Sequence, residues 1–178
     1  MKKVLLTLVF SVSSVFGINL GLVEVSPEFG VDFGKASIKN GLKQNTVYSS
    51  YGPSNYGFYG RVWVGAFGIV LAPQVKYDFY SKSSGHSGFS NAQYGLNLGT
   101  NFGLVVMRLT PYLGVSRSSF NKIYKDTFAY RVGLKVTPAV LPLAVSLQYT
   151  YQKPEVKGVS PKHSTTMSNI QLMIGLHF

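Results

Sequence analysis

Three histidines, six carboxylates and no cysteine make up the usual metal ligands and general bases that this 178-residue chain could call on. Without cysteine there is no disulfide framework and no thiolate-ligated zinc or redox centre. His86 lies in Ser-Ser-Gly-His-Ser-Gly, His163 precedes Ser164-Thr165, and His177 stands beside Phe178. No histidine has a second histidine or a carboxylate at ligand spacing, so no metal site is expected. A nucleophile, a base and an orienting group cannot be assembled from the order of residues either. We therefore expect no catalytic site and no cofactor, with His86 a solvated loop residue.

The remaining charges fall into two sets. Glu24, Glu28, Asp32, Arg61, Lys76, Asp78, Arg131 and Lys135 sit in mid-segment among alternating residues, four of the chain's six acids with four bases to match. Lys35, Lys39, Lys43, Lys82, Arg117, Lys122, Lys125, Lys153, Lys157 and Lys162 lie in or beside long connecting stretches, opposed there by Asp126 and Glu155. The first set suits a narrow interior where ions must be paired. The second suits contact with phosphates, or simply solvated loops.

The elements that carry these residues have period two. Phe128-Tyr130-Val132-Leu134-Val136, Leu143-Val145-Leu147-Tyr149-Tyr151 and Ile170-Leu172-Ile174-Leu176-Phe178 each alternate with polar or small residues. Similar patterns over about 20–34, 56–66, 72–81, 92–103 and 109–117 bring the number of candidate strands to eight. Connections near 35–55, 82–91, 118–127 and 153–164 are long and polar, and those near 67–71, 104–108 and 138–142 are short. Long alternating with short is the rhythm of an up-and-down barrel. Ile69-Val70-Leu71 and Leu104-Val105-Val106 are apolar for turns and read equally well as strand ends.

Composition points to the solvent. Charged residues are 13% and aromatics 14%, with 19 glycines and a mean hydropathy of +0.15. Beyond Val4–Phe10 no run approaches the roughly 20 apolar residues of a membrane helix. Met1-Lys2-Lys3, an apolar core and small residues to Gly17 form the layout of a signal peptide over 1–17, with the barrel domain over 18–178. Its removal leaves a mature charge of +9. Aromatics gather at strand ends (Tyr77, Phe79, Tyr94, Phe128, Tyr130, Tyr149, Tyr151; Phe102 and Phe178 at the other end), as at two membrane interfaces. A soluble barrel with its apolar face inward is the alternative. We expect an all-β, closed, eight-stranded antiparallel transmembrane barrel, monomeric and in the outer membrane. Trp63 shares a face with Arg61, and a bulge would be needed to turn it toward lipid.

Thr110-Pro111-Tyr112-Leu113-Gly114-Val115 and the closing Leu172-Met173-Ile174-Gly175-Leu176-His177-Phe178 resemble the small eight-stranded outer-membrane β-barrel family, similar to the membrane domain of outer membrane protein A and its single-domain relatives. The resemblance implies that Phe178 is the assembly signal read by the outer-membrane assembly machinery. Eight strands leave a lumen about wide enough for side chains to fill, and Gln74, Gln93, Asn97, Asn101, Tyr112, Gln148, Asn169 and Gln171 would join the charges there. A gated ion path, a narrow porin-like channel, is the alternative use of that lumen. Some barrels of this size modify lipid A. His163-Ser164-Thr165 departs from the deacylase spacing, and Asp78 followed by Phe79 departs from the palmitoyl-transferase pair. A non-catalytic surface role is expected, with outer-membrane lipids and lipopolysaccharide phosphates as partners. Nucleic acid is not expected, since the basic pI of 9.8 comes with no nucleic-acid motif.

Overall fold

The computed structural model describes residues 18–19, 23–41, 47–121, 124–158 and 164–178. The segment 1–17, with the expected signal peptide, lies outside the described residues, as do Lys43, Lys122, Lys162 and His163.

Eight long strands form one closed sheet. They are β1 (Val23–Gly41), β2 (Ser54–Ala66), β3 (Ile69–Tyr80), β4 (Phe89–Thr100), β5 (Met107–Phe120), β6 (Thr127–Pro138), β7 (Leu143–Gln152) and β8 (Ser164–His177). Each pairs antiparallel with its neighbour in sequence. Closure comes from β8 against β1, in register from Ser164↔Gly41 to His177↔Glu28. The fold class is thus an all-β, eight-stranded antiparallel barrel with no open edge along its wall, so backbone groups there are paired around the circumference.

The strands are longer at the loop end than their alternation suggests. β1 runs for 19 residues, and its outer part pairs with a short strand, Val47–Tyr51. Lys35 and Lys39 are therefore on a strand and not in a loop. At the opposite end the turns are tight. Phe67 and Gly68 have φ of +53° and +82°, the two-residue form whose twist suits a hairpin, and Ile69–Leu71 belong to β3. Leu104, Val105 and Val106 do form a turn, and their side chains are exposed.

Alternation sorts the side chains without exception along β3, where Ile69, Leu71, Val75, Tyr77 and Phe79 are exposed and Val70, Ala72, Gln74, Lys76, Asp78 and Tyr80 are buried. Phe58 is 59% exposed while Asp78 across the wall is 0% exposed. Oily residues face out and charged ones face in, the inverse of a water-soluble domain. Around the loop end the outer face carries Tyr56, Phe79, Tyr77, Tyr94, Phe128, Tyr130 and Tyr149, with Tyr56 stacked on Phe79 at 5.2 Å.

Close approach of the strands depends on particular glycines. A Cβ on Gly95 would lie 2.1 Å from the Val115 carbonyl oxygen on β5, whereas one on Gly103 would meet nothing within 4 Å. Gly95→Ala should lower the urea midpoint of the detergent-folded protein, costing about 1–3 kcal/mol. Gly103→Ala should leave it unchanged within about 0.5 kcal/mol.

Candidate functional site

The site is the lumen. Glu28 and Asp32 stand four residues apart on β1, so strand parity gives them the same face about 13 Å apart. Each organises its own knot of partners.

Toward the turn end, Glu28 accepts three hydrogen bonds and attracts a more distant cation. Arg61 Nη2 donates to Oε1 at 2.6 Å, Tyr59 Oη donates to Oε1 at 2.8 Å, and Trp63 Nε1 donates to Oε2 at 2.9 Å. Lys135 Nζ approaches Oε2 to 3.7 Å from the far wall. Arg61 is the direct cross-strand partner of Glu28, and its guanidinium also donates to Ser146 Oγ at 2.6 Å. The rings of Tyr59, Trp63 and Tyr112 surround that cation at 5.2, 4.9 and 5.4 Å, where the negative ring faces add to the carboxylate's pull. Trp63 thus faces the lumen, with its register against β1 continuous and no bulge. The indole is accommodated there because its single N–H meets a carboxylate.

Toward the loop end, Lys76 Nζ lies 3.2 Å from Asp78 and 3.7 Å from Asp32. Gln171 bridges them: its Oε1 accepts from Lys76, and its Nε2 donates to Asp32 at 2.8 Å and Asp78 at 3.0 Å. Gly57 sits between the two aspartates in the sheet, and a Cβ there would press on both carboxylates. Asn97 Nδ2 donates to Gln74 Oε1 at 2.7 Å, and Asn169 Nδ2 donates to Tyr80 Oη at 3.2 Å. Arg131 is buried but belongs to neither knot. Its Nε, Nη1 and Nη2 have no hydrogen-bond partner. Glu24 is half-exposed at the turn-end mouth, paired with Arg108.

Above the polar section the lumen turns apolar. Ala36, Ile38, Tyr51, Tyr80, Phe89, Phe120, Tyr124 and Met167 form one buried cluster at the loop end. Tyr80 stacks on Phe89 at 4.5 Å, and the hydroxyls of Tyr51 and Tyr124 share a hydrogen bond at 2.7 Å. Burial pushes both phenols above their ordinary pKa range. His86 is half-buried and stacks on Tyr51 at 4.0 Å, so it is a packed residue and not a free loop histidine. The parity of β3 gives Tyr80 an inward place. Phe89, Phe120 and Tyr124 fall in stretches that read as loops, and nothing local marks them as a plug.

The turn-end mouth brings together Ser26, His177 and Glu28. Ser26 Oγ is 3.2 and 3.0 Å from the two ring nitrogens of His177, and His177 Nδ1 is 4.0 Å from Glu28. The set resembles a nucleophile, base and acid in name only. A hydroxyl nearly equidistant from both nitrogens lies on neither lone-pair axis, and Ser26 donates instead to the Phe178 carbonyl at 2.5 Å. Glu28 is already occupied by its three hydrogen bonds and the Lys135 ion pair. Among the described residues no group of three or more His, Asp or Glu is placed to hold a metal.

The basic residues do not form a uniform rim. Lys35 and Lys39 point outward from β1, and Lys82, Lys153 and Lys157 are exposed. Lys125 pairs with Glu155 at 3.2 Å. Arg117 approaches Asp126 at 4.0 Å and lies over Phe128.

No family model matches the chain, and no curated protein sequence matches it at a significant level. Solved structures do match. Neisserial surface protein A (NspA) superposes with a TM-score of 0.50 at 14% identity, covering 84% of this chain and 97% of that one. Ail, the attachment invasion locus protein of Yersinia pestis, superposes with a TM-score of 0.48 at 13% identity, covering 85% and 98%. At such identity the likeness to NspA is one of fold.

Glu28→Ala should destabilise the barrel by about 3–5 kcal/mol, because it leaves two buried cations without a carboxylate. Lys135→Met, which removes the longer 3.7 Å ion pair and the ammonium over the Trp63 ring but leaves the three hydrogen bonds to Glu28, should cost less. Denaturant unfolding followed through Trp63, the one tryptophan of the chain, measures both.

Proposed function

We propose that the chain is a non-catalytic outer-membrane barrel that closes its own lumen and presents its loop end at the cell surface. The observation that carries this reading is the inversion of the wall: an outer face of Phe29, Phe33, Phe58, Val75, Leu96, Leu98, Leu113, Leu147, Ile170 and Leu172 around an interior of buried ions. In water an exposed apolar band of this extent would aggregate, and in hydrocarbon it is the required surface. The aromatic ring at the loop end and the apolar turn tips Phe67, Val105 and Val140 suit the two interfaces. A cleaved signal peptide at 1–17 and a terminal Phe178 read by the assembly machinery complete the route. The carbonyl of Phe178 is held by Ser26, and its N–H donates to the Pro27 carbonyl. With no wall edge left to pair, the barrel functions as a monomer.

A pore is the second reading, and the inward charges are its motive. Against it stand the aromatic cluster across the loop-end mouth and the pairing of Arg61, Lys76 and Lys135 with carboxylates. As partner we propose the phosphates of lipopolysaccharide. Lys35 and Lys39 lie on the outer wall just beyond the ring that includes Phe33 and Tyr56, the level at which headgroup phosphates sit. Lys153, over the Tyr151 ring, flanks them.

Detergent-folded protein should migrate differently on gels with and without boiling, and should give no steady conductance in planar bilayers. Stable single-channel steps would replace this reading with the pore. Lys35→Gln with Lys39→Gln should weaken association with lipopolysaccharide vesicles several-fold at low salt, and high salt should shrink the difference. Equal binding by variant and parent at low salt would remove those lysines from the partner surface.

A further inference from the structure

We infer that Arg131 holds a small monovalent anion, of the halide class, inside the lumen. This inference concerns the barrel interior and does not depend on what the loops meet.

Arg131 projects inward from the middle of β6 and is 3% exposed. A guanidinium stays protonated at any accessible pH and carries five N–H donors. All three of its nitrogens are enclosed by protein, and none has an acceptor. Buried charges are ordinarily paired, and the buried cations Arg61 and Lys76 are paired at 2.6 and 3.2 Å. The carboxylates that could serve it are committed elsewhere: Glu28 to Arg61 and Lys135, and Asp32 and Asp78 to Lys76.

The charge count points the same way. Among the described residues the buried ions are the cations Arg61, Lys76, Arg131 and Lys135 and the anions Glu28, Asp32 and Asp78. One positive charge is in excess, and the cation without a partner is Arg131.

The surroundings bring an amide side chain to face the guanidinium's stem. Gly114 is the cross-strand neighbour of both Asn97 and Arg131. A side chain there would collide with Asn97 Oδ1 at 2.2 Å and Arg131 Cγ at 2.9 Å, so the glycine is what allows the two to face each other. Asn97 is bonded to Gln74, whose Nε2 is buried with no acceptor. Asn97 Oδ1, across Gly114 from Arg131, and one oxygen each of Asp32 and Asp78 are buried acceptors without a hydrogen bond, yet none of them is bonded to the guanidinium. A water molecule could satisfy some of these groups but would leave the charge.

Bromide is the probe, because it reports its own position by anomalous scattering. Crystals of the detergent-folded chain soaked in sodium bromide should show an anomalous peak about 3.3 Å from the Arg131 guanidinium, as expected for a charge-assisted contact to a large anion. In solution, replacing sodium gluconate by sodium bromide at constant ionic strength should raise the unfolding midpoint by a few degrees, rising with concentration and saturating. In Arg131→Gln the peak and the shift should both vanish. Ordered water alone at the guanidinium, or Arg131 found against Asp78, would overturn the inference, as would equal midpoints of the parent protein in bromide and gluconate. If Arg131→Gln fails to fold, the parent crystals and titration still decide.

Discussion

A carboxylate with none of its surface in contact with solvent must be held by donors and cations, and Glu28 has three hydrogen bonds and the more distant Lys135 ammonium. Much of the structure follows from that requirement. Arg61 reaches it across one strand pair, while Lys135 comes from β6 on the far wall, so the knot spans the lumen. Tyr59 and Trp63 occupy the same inward face of β2 and bring an O–H and an N–H to the same carboxylate. Their rings, with that of Tyr112, then flank the cation. The interior is packed around charge in the way a soluble domain is packed around hydrocarbon.

The second knot answers the same requirement differently. Two aspartates share Lys76, and a glutamine takes up what one ammonium cannot. Gln171 accepts from the lysine and donates to both acids, which is within the capacity of a single amide. Gly57 keeps the two carboxylates within reach of one cation. Ionic pairing ends where Tyr80, Phe89, Phe120 and Tyr124 begin, and the lumen closes at the loop end by apolar packing. The two halves of the interior thus obey opposite rules, with ion pairs through the middle, Arg131 excepted, and packed rings at the mouth.

This arrangement bears on catalysis. Ser26, His177 and Glu28 are neighbours, yet the carboxylate that would orient the imidazole is occupied by Arg61, Tyr59 and Trp63. A residue at the centre of a structural network is poorly placed to shuttle protons, because changing its charge would unsettle every partner. The outer wall is the freer surface. Lys35 and Lys39 make no ion pair with a described carboxylate, and their position on a strand gives them fixed directions that a loop would not.

Much of the barrel was legible in the chain because strand parity is a local property. Two-residue alternation alone puts Glu28, Asp32, Lys76 and Asp78 on one side and Phe29, Val75 and Tyr77 on the other. Long and short connections give the up-and-down order for the same reason. What parity cannot state is which inward residues share a level, since that depends on how far the sheet shears as β8 meets β1. Only closure brings Lys135 to Glu28 and leaves Arg131 without a partner, while the register of β1 on β2 sets Trp63 against a carboxylate. Only the outward extension of β1 turns two apparent loop lysines into wall residues, and only packing between strand ends and a loop gathers Phe89, Phe120 and Tyr124 into a plug. Those contacts join residues far apart in sequence, so no local pattern carries them.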